Sequence, residues 1–308
     1  MTAGAAEFHQ RLKAVADDVE TALSALLGSA PLPGETLRPA RLLNAVRYSS
    51  LGGGKRLRPF LTMETARLFG ADGEGALRAA CAIEMIHCYS LVHDDLPALD
   101  DDDLRRGRPT THKAYDEATA VLAGDALLTY AFDVLADAKT DPDPAVRAEL
   151  VLGLARAAGF GGMIGGQVLD LEAEQSTAPH EAEAVIRLQS MKTGALLHVA
   201  VMAGAVMGRA TLAAREALST YGAALGAAFQ VADDILDVEA DEVALGKRAG
   251  KDAGRNKATL VAALGLEAAR ERRDRLAAEA VAALDRFPQG ADAHVLKEAA
   301  RFAASRTS

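Results

Sequence analysis

Helical periodicity runs through almost the whole chain and leaves little room for other secondary structure. Apolar residues recur at three- and four-residue spacings, and glycine or proline stands at the ends of most segments. No stretch shows the alternation of a half-buried strand, and no βαβ order appears. The predicted helices cover residues 7–27, 42–50, 59–69, 75–96, 115–139, 144–158, 164–174, 182–207, 211–238, 259–285 and 291–305. The pattern therefore predicts an all-α helical bundle.

The composition agrees with close packing of helices. Half of the 308 residues are hydrophobic, but only 4% are aromatic and tryptophan is absent. A β-sandwich would need more β-branched and aromatic residues, whereas alanine is the strongest helix former. No Ser/Gly/Pro-rich linker or long block of charge divides the chain, so one large domain over residues 1–308 is expected.

Charge, cysteines and targeting signals narrow the class of protein. The net charge of −9 argues against a general nucleic-acid binder. Cys81 and Cys88 on one helix would lie about 10 Å apart along its axis, too far for a disulfide, which favours buried thiols in a reducing compartment. The sequence has no signal-peptide pattern and no unbroken apolar run of about 18 residues. A cytoplasmic protein without a membrane span is expected.

Two clusters of aspartates follow apolar segments: Asp94, Asp95 and Asp100 in the first, and Asp233, Asp234 and Asp237 in the second. On a helix, the first and last carboxylates of the second cluster share one face, about 6 Å apart. Such carboxylates repel unless a cation lies between them. Pro97 makes a continued helix unlikely in the first cluster, so a loop must return Asp100 to the other two.

Oxygen ligands without a thiol or imidazole set favour a hard cation such as Mg²⁺, which keeps open positions for phosphate. A single acidic cluster is more often solvated surface, but two of them suggest a metal-bridged diphosphate. A calcium loop of the EF-hand type fits poorly, because residues 100–106 lack its central glycine and the terminal glutamate is missing.

Basic residues and one histidine stand around the two clusters: Lys55, Arg56, Arg58, His87, Arg105, Arg106, Arg108, Lys192, Lys247 and Lys257. The glycine-rich turn 52–54 leads into a helix N-terminus, which favours anions, although its spacing is not that of a Walker loop. Arginines that follow a metal-binding acidic run suit an anion carried by the metal. Taken singly, each of these motifs is more often a surface or core feature.

Taken in order, these motifs resemble the trans-prenyl diphosphate synthases, and most closely the bacterial farnesyl diphosphate synthases. The matching segments are 52–59, 86–100, 104–107, 122–127, 165–170, 192–194 and 229–237, followed by Gly246, Lys247 and Lys257. The resemblance covers nearly the whole chain. It implies an all-helical homodimer of the isoprenoid synthase type, with a central cavity in each subunit between the aspartate motifs.

The resemblance also implies roles for individual residues. Asp94, Asp95, Asp100, Asp233, Asp234 and Asp237 would bind Mg²⁺, with three ions in each active site and Mn²⁺ as a substitute. The allylic diphosphate would be held by Arg105, Lys192, Thr193, Gln230, Lys247 and Lys257. Isopentenyl diphosphate would be held by Gly54, Lys55, Arg58, His87 and Arg106. The catalytic set would be Asp94, Asp95, Asp100, Arg105, Lys192, Asp233 and Lys247, and Tyr89 with Ser90 would set the chain length.

The implied reaction is a Mg²⁺-dependent head-to-tail condensation of isopentenyl diphosphate with dimethylallyl or geranyl diphosphate. Farnesyl diphosphate is the expected product, and geranylgeranyl diphosphate is the alternative within the family. A terpene cyclase would need one acidic cluster and an aromatic-rich cavity, which a chain without tryptophan does not offer. A non-catalytic helical subunit would not need aspartates at both motifs together with the cations between them.

Overall fold

Helices dominate the computed structural model of the protein, which describes residues 3–245 and 258–305, with backbone only at residues 3 and 240–245. The helices of the first half are α1 (Ala3–Leu26), α2 (Ala40–Ser50), α3 (Leu57–Arg67), α4 (Glu74–Asp94), α5 (Thr111–Ala114), α6 (Glu117–Ala136) and α7 (Pro144–Ala158). Those of the second half are α8 (Met163–Gln175), α9 (Ala182–Gln189), α10 (Ala195–Met207), α11 (Leu212–Leu245), α12 (Leu260–Leu264), α13 (Leu266–Ala283) and α14 (Ala291–Ala304). The predicted all-α class is confirmed.

Besides shifts of helix ends, such as α11 running to Leu245 instead of 238, and the short helix α5, the structure corrects the sequence prediction at three places. Two short strands, β1 (Leu104–Arg105) and β2 (Arg108–Pro109), form an antiparallel hairpin, whereas no strand is predicted from the sequence. The predicted helix 182–207 contains a π-helical turn, Ser190–Gly194, between α9 and α10. The predicted helix 259–285 is broken at Gly265, whose φ of +85° is readily adopted only by glycine.

The main core lies where α4 and α10 pass through the middle of the bundle. Both helices are buried on most sides, and α10 packs closely on α3, where the Thr62 hydroxyl donates to the Ala200 carbonyl at 2.9 Å. Small side chains permit this approach, which explains the alanine-rich composition. Cys81 and Cys88 are free and buried on α4, as predicted, and burial raises the pKa of each thiol to about 12. The two thiols are therefore inert core residues.

Within the described residues, three helical stretches are long and apolar enough to cross a membrane by length and composition: Glu117–Ala136, Pro144–Gln175 and Ala182–Met207. The prediction of no membrane span rests on the lack of an unbroken apolar run of about 18 residues. This criterion is stricter than one of helix length and mean hydropathy. Here the first and third stretches pack against other helices of the bundle, α6 on α4 and α10 on α3 and α11. A densely packed helical core has a composition that overlaps that of a membrane span, and the absence of a span stays a prediction.

Candidate active site

The first aspartate motif lies where α4 ends and the chain turns back. Asp94 is the last residue of α4, and its carbonyl accepts the Asp100 N–H at 2.8 Å. This confirms that a loop returns Asp100 to the helix end. The pKa of Asp94 is raised to about 6, chiefly by burial, with the charge of Lys192 acting to lower it and the charge of Asp100 acting to raise it. Two carboxylates thus lie close together in a half-buried place, where they repel.

Asp95 is held by the hairpin that follows the loop. Its side chain is buried, and its Oδ1 accepts the Nε of Arg105 at 2.6 Å. Arg105 also lies 3.5 Å from Asp102. Burial raises the pKa of Asp95, while the hydrogen bond from Arg105 lowers it. In this arrangement the predicted metal ligand and the predicted phosphate ligand neutralise each other.

Lys192 reaches the first motif from the π-helical turn. Its ammonium group donates to Asp170 of α8, and the charges of Asp94 and Asp100 act on it as well. Burial alone would lower the pKa of Lys192, but these carboxylates raise it above its usual value. A Cβ atom on Gly166 of α8 would come within 2.2 Å of the Lys192 backbone nitrogen, so glycine is required for this close contact. Thr193 is half-buried in the same turn.

The second motif, on α11, places its three carboxylates in different surroundings. Asp233 is half-buried, Asp234 is buried and Asp237 is exposed. Asp234 accepts hydrogen bonds from the Gln189 amide at 2.8 Å, the Leu260 N–H at 2.7 Å and the Gln230 amide at 3.4 Å. Burial raises the pKa of Asp234 and these donors lower it. Asp234 therefore joins α9, α11 and the start of α12.

Arginines surround His87 on the face of α4 that leads to Asp94. Burial lowers the pKa of His87 well below its usual value, and the charges of Arg58 and Arg106 lower it further. The imidazole is therefore neutral at physiological pH and can donate a hydrogen bond without adding charge. The Nε of Arg58 is buried without a partner among the described residues, and the charge of Asp233 acts on the same guanidinium. Arg58 thus connects the cationic region with the second aspartate motif.

The glycine-rich turn borders this cationic region. Arg106 donates from Nη1 to the Gly53 carbonyl at 2.7 Å, and a Cβ atom on Gly54 would come within 2.4 Å of the same Nη1. A small cleft of about 70 Å³ lies between this turn and the hairpin, with Arg105 and Arg106 in its lining. Lys55 is exposed, with its ammonium group 5.5 Å from the ring centre of Phe302. Backbone and cations thus converge on a place suited to an anion.

Arg56, by contrast, belongs to the framework. It is buried, with φ of +48°, and donates to Glu84 at 2.6 Å, to Glu20 at 2.8 Å and to the Ser50 carbonyl at 2.6 Å. These bonds tie the glycine-rich turn to α1 and α4. Protein acceptors engage both of its Nη atoms, so these donors are not available to a ligand, while its Nε is buried without a partner among the described residues.

Tyr89 lies five residues before Asp94 on α4. Its side chain is buried, its ring meets His93 edge-on at 5.7 Å, and its hydroxyl has no hydrogen-bond partner among the described residues. Burial and, to a smaller extent, the charge of Asp94 together raise the pKa of Tyr89 to about 12. Ser90 is half-buried and donates to the His87 carbonyl at 2.8 Å.

The donor chemistry of the two motifs fits Mg²⁺. Within the described ranges, no three acidic, histidine or cysteine side chains form a preformed metal cluster. The aspartates instead form two groups, and Asp94 with Asp100 shows the repulsion that a cation relieves. An all-carboxylate donor set suits a hard cation that keeps water and phosphate ligands. Lys247 and Lys257 lie outside the described residues.

Sequence reasoning missed several residues that organise the site. Asp170 stands in the matching segment 165–170, which was the available signal, but no role was assigned to it. Gln189 and Glu84 carried no signal, because a single amide or carboxylate on an apolar helix does not reveal its partner. The π-helical turn that presents Lys192 is also invisible to a periodicity search.

Comparison with known proteins gives a consistent result. The family model described as polyprenyl synthetase matches residues 39–292, a range that includes every candidate site residue. A farnesyl diphosphate synthase of Geobacillus stearothermophilus is 48% identical over 256 residues, covering 82% of this chain and 83% of the relative. A chloroplastic geranylgeranyl pyrophosphate synthase of Arabidopsis thaliana is 45% identical over 265 residues, covering 85% and 72%.

A crystal structure without ligand, that of an FPP/GFPP synthase from Zymomonas mobilis, has the same fold. It superposes with a TM-score of 0.86 and 44% identity over 98% of this chain and 100% of the other. At this identity and coverage the likeness extends to the whole helical framework.

Proposed function

Because the chain belongs to the polyprenyl synthetase family, it is a prenyltransferase of isoprenoid biosynthesis, and we propose that it makes farnesyl diphosphate. The reaction is the head-to-tail condensation of isopentenyl diphosphate with an allylic diphosphate, dimethylallyl or geranyl. The observation that supports this most directly is the placing of cations between the aspartate motifs. Lys192 acts on Asp94 and Asp100, and Arg58 acts on Asp233.

The allylic diphosphate binds at the first motif in this proposal. The family uses Mg²⁺, and Asp94, Asp95, Asp100 and Asp233 are its proposed ligands, with Asp234 and Asp237 in support. When bound, Mg²⁺ neutralises the diphosphate and makes it a better leaving group. Three ions per active site, and replacement by Mn²⁺, remain part of the proposal.

Cationic side chains complete the allylic site. Lys192 and Arg105 stabilise the negative charge that grows on the departing diphosphate. Arg105 has to exchange its bond to Asp95 for one to phosphate, a change that substrate and metal together favour. Thr193, Gln230, Lys247 and Lys257 are proposed to hold the same group.

In this proposal isopentenyl diphosphate binds in the cationic region around Arg58, His87 and Arg106. Arg58 has a buried Nε without a partner and Arg106 lies exposed beside it, so a diphosphate would relieve the repulsion between them. Neutral His87 donates one hydrogen bond to this diphosphate. Lys55 and the backbone of Gly54 bind it from the glycine-rich turn. The double bond of this substrate then attacks the allylic carbon, and the proton lost afterwards passes to the released diphosphate.

The two anion sites predict different kinetic effects. Arg58→Ala and His87→Ala should raise the KM for isopentenyl diphosphate by roughly ten-fold or more, since each loses a hydrogen bond to a charged group. Lys192→Ala should instead lower kcat or raise the KM for the allylic substrate. Initial rates measured with each substrate varied in turn would separate these effects. Equal impairment toward both substrates in all three variants would contradict the assignment.

Product length depends on how far the chain can extend below the metals. Tyr89 and Ser90 lie about one helical turn below Asp94, where a chain tethered at the first motif would pass. A bulky side chain there stops elongation, and Tyr89 with the small Ser90 is proposed to give the fifteen-carbon product. Relatives named as geranylgeranyl synthases are nearly as similar as those named for farnesyl, so the twenty-carbon product is the second candidate.

Tyr89→Ala should shift the product toward twenty carbons or more and leave the rate of allylic ionisation within a few-fold. The variant removes a buried ring that belongs to the main apolar core and so opens space there. Chromatography of the dephosphorylated products would show the change. Tyr89→Phe keeps the ring and is the matched control, expected to retain the wild-type product. A folded, active Tyr89→Ala enzyme with unchanged products would show that another wall limits the chain.

One experiment tests the proposed function as a whole. Pyrophosphate release should require Mg²⁺ and both substrates, and should stop when EDTA is present or either substrate is omitted. Release from an allylic diphosphate alone would favour a cyclase, and no release under any condition would favour a non-catalytic subunit. A homodimer and a cytoplasmic location are proposed from the family resemblance, and sedimentation would test the former.

A further inference from the structure

A cavity of about 630 Å³ lies between α7, α10 and α11, and none of the six motif aspartates lines it. Its volume falls in the range of small-molecule pockets, about 300–1,000 Å³. Val199 and Met202 of α10 form the floor, and Gly153 of α7 and Ala227 of α11 form part of the walls. Small apolar residues predominate, so the cavity is suited to a hydrocarbon chain.

The cavity has two chemically different ends. At one end, Glu149 of α7 is paired with Arg215 at the start of α11, so the charges there are satisfied. At the other end α10 joins the π-helical turn, and Gln189 and Ser190 line the cavity. A Cβ atom on Gly226 would come within 3.2 Å of the Gly194 Cα, so α11 packs closely against this second end.

Two arginines line the second end, and neither is neutralised there. Arg156 follows Gly153 by about one turn of α7, and Arg272 of α13 lines the cavity beside Leu260 and Val231. Within the described part of the chain, neither guanidinium has a hydrogen bond or an ion pair, and the Nε of Arg272 is buried without a partner. A buried donor in this state costs stability unless a ligand satisfies it.

We propose that this cavity binds a single-chain anionic amphiphile, an alkyl or prenyl phosphate, with the phosphate on Arg156 and Arg272 and the chain along α10. Guanidinium groups bind phosphate oxygens bidentately, and the apolar floor removes the chain from water. From Gly194 to Val206 the floor is about 18 Å long, which accommodates a chain of medium length. The head-group end also touches Gln189, whose amide holds Asp234, so the cavity adjoins the second aspartate motif.

Binding can be measured with dodecyl phosphate and the full chain in EDTA, below the micellar concentration, by calorimetry. Under these conditions no substrate or metal is present, so the result does not depend on the proposed enzymatic function. One saturable site per chain is expected. Because the sequence has no tryptophan, Leu152→Trp at the cavity rim provides a unique fluorophore, and its emission should shift to the blue on binding. Ala148→Trp, exposed on α7 outside the cavity, should not respond.

Substitutions then identify the site. Arg156→Ala and Arg272→Ala should each weaken binding by roughly ten-fold or more, as expected for a lost charged hydrogen bond. Ala223→Trp, at an exposed wall position, should fill the cavity and abolish binding. Arg187→Ala removes the same charge from a nearby exposed position on α9 that does not line the cavity, and it should bind normally. Circular dichroism and turnover should be unchanged in all four variants.

Several outcomes would overturn the proposal. Equal binding by all variants would place the ligand elsewhere, and displacement by saturating inorganic pyrophosphate would place it in the diphosphate site. Dodecyltrimethylammonium has a chain of the same length but a cationic head group. If it bound as tightly as dodecyl phosphate, the negative charge of the phosphate would have no role in binding. Capture by phosphatidylglycerol vesicles that needs both arginines, without binding of the monomeric probe, would identify a membrane surface as the partner instead.

Discussion

Asp94→Ala and Asp233→Ala should each lower turnover by two orders of magnitude or more while the fold is retained. Loss of transition-state electrostatics of this kind costs about 3 kcal/mol or more. Burial and the charge of Asp100 raise the pKa of Asp94, so that removing this carboxylate should leave thermal stability without metal unchanged or slightly higher. Pyrophosphate release at saturating Mg²⁺ and thermal unfolding in EDTA would measure both quantities.

Asp103→Ala is the matched control for this experiment. Asp103 belongs to the same acidic run but is exposed and paired with Lys113 at 2.8 Å. Its removal should change turnover by less than a few-fold. Near-normal turnover in both Asp94→Ala and Asp233→Ala would show that neither aspartate motif takes part in the reaction.

Arg56→Ala should destabilise the protein by about 3–5 kcal/mol, the typical cost of breaking a buried ion pair by removing one partner. The side chains of Arg56 and Glu84 are both almost completely buried, and the variant leaves the glutamate with an uncompensated charge. Urea unfolding would measure the change. Arg56→Met combined with Glu84→Leu should recover much of the loss, because two apolar residues leave no charge behind.

An exposed ion pair gives the contrasting case. Lys13 and Asp17 lie 2.6 Å apart, with 76% and 67% of their side chains exposed. Lys13→Ala should therefore cost less than about 1 kcal/mol. If Arg56→Ala lowered the free energy of unfolding as little as Lys13→Ala does, the charge of Glu84 would have to be neutralised in another way.

The sequence predicts the helical class well because periodicity is a local property of each segment. α7, for example, begins and ends at the predicted residues 144 and 158. The return of Asp100 to Asp94 could also be inferred, since Pro97 leaves the chain no helical alternative. The hairpin after this loop is too short for any alternating pattern, and the break at Gly265 looks like an ordinary glycine within a helix.

Side-chain roles within a motif were harder to predict, because they depend on contacts from distant segments. Arg56 and Arg58 stand two residues apart in one basic motif, yet Arg56 is bound by Glu20 and Glu84, and Arg58 faces the other cations. Likewise Asp234 differs from Asp233 because Gln189 and Leu260, from α9 and α12, meet its carboxylate. Neither distinction is encoded in spacing alone.

The π-helical turn sets the rotational phase of the two helices that it joins. One extra residue in a helical turn rotates everything after it by about 100° relative to a continuous α-helix. Val185 and Leu188 before the turn pack in a small apolar cluster with Val231 and Ile235, whereas α10 after it packs in the main core. A one-residue deletion within Ser190–Gly194 would therefore misalign one of these two faces even if every side chain of the site were kept.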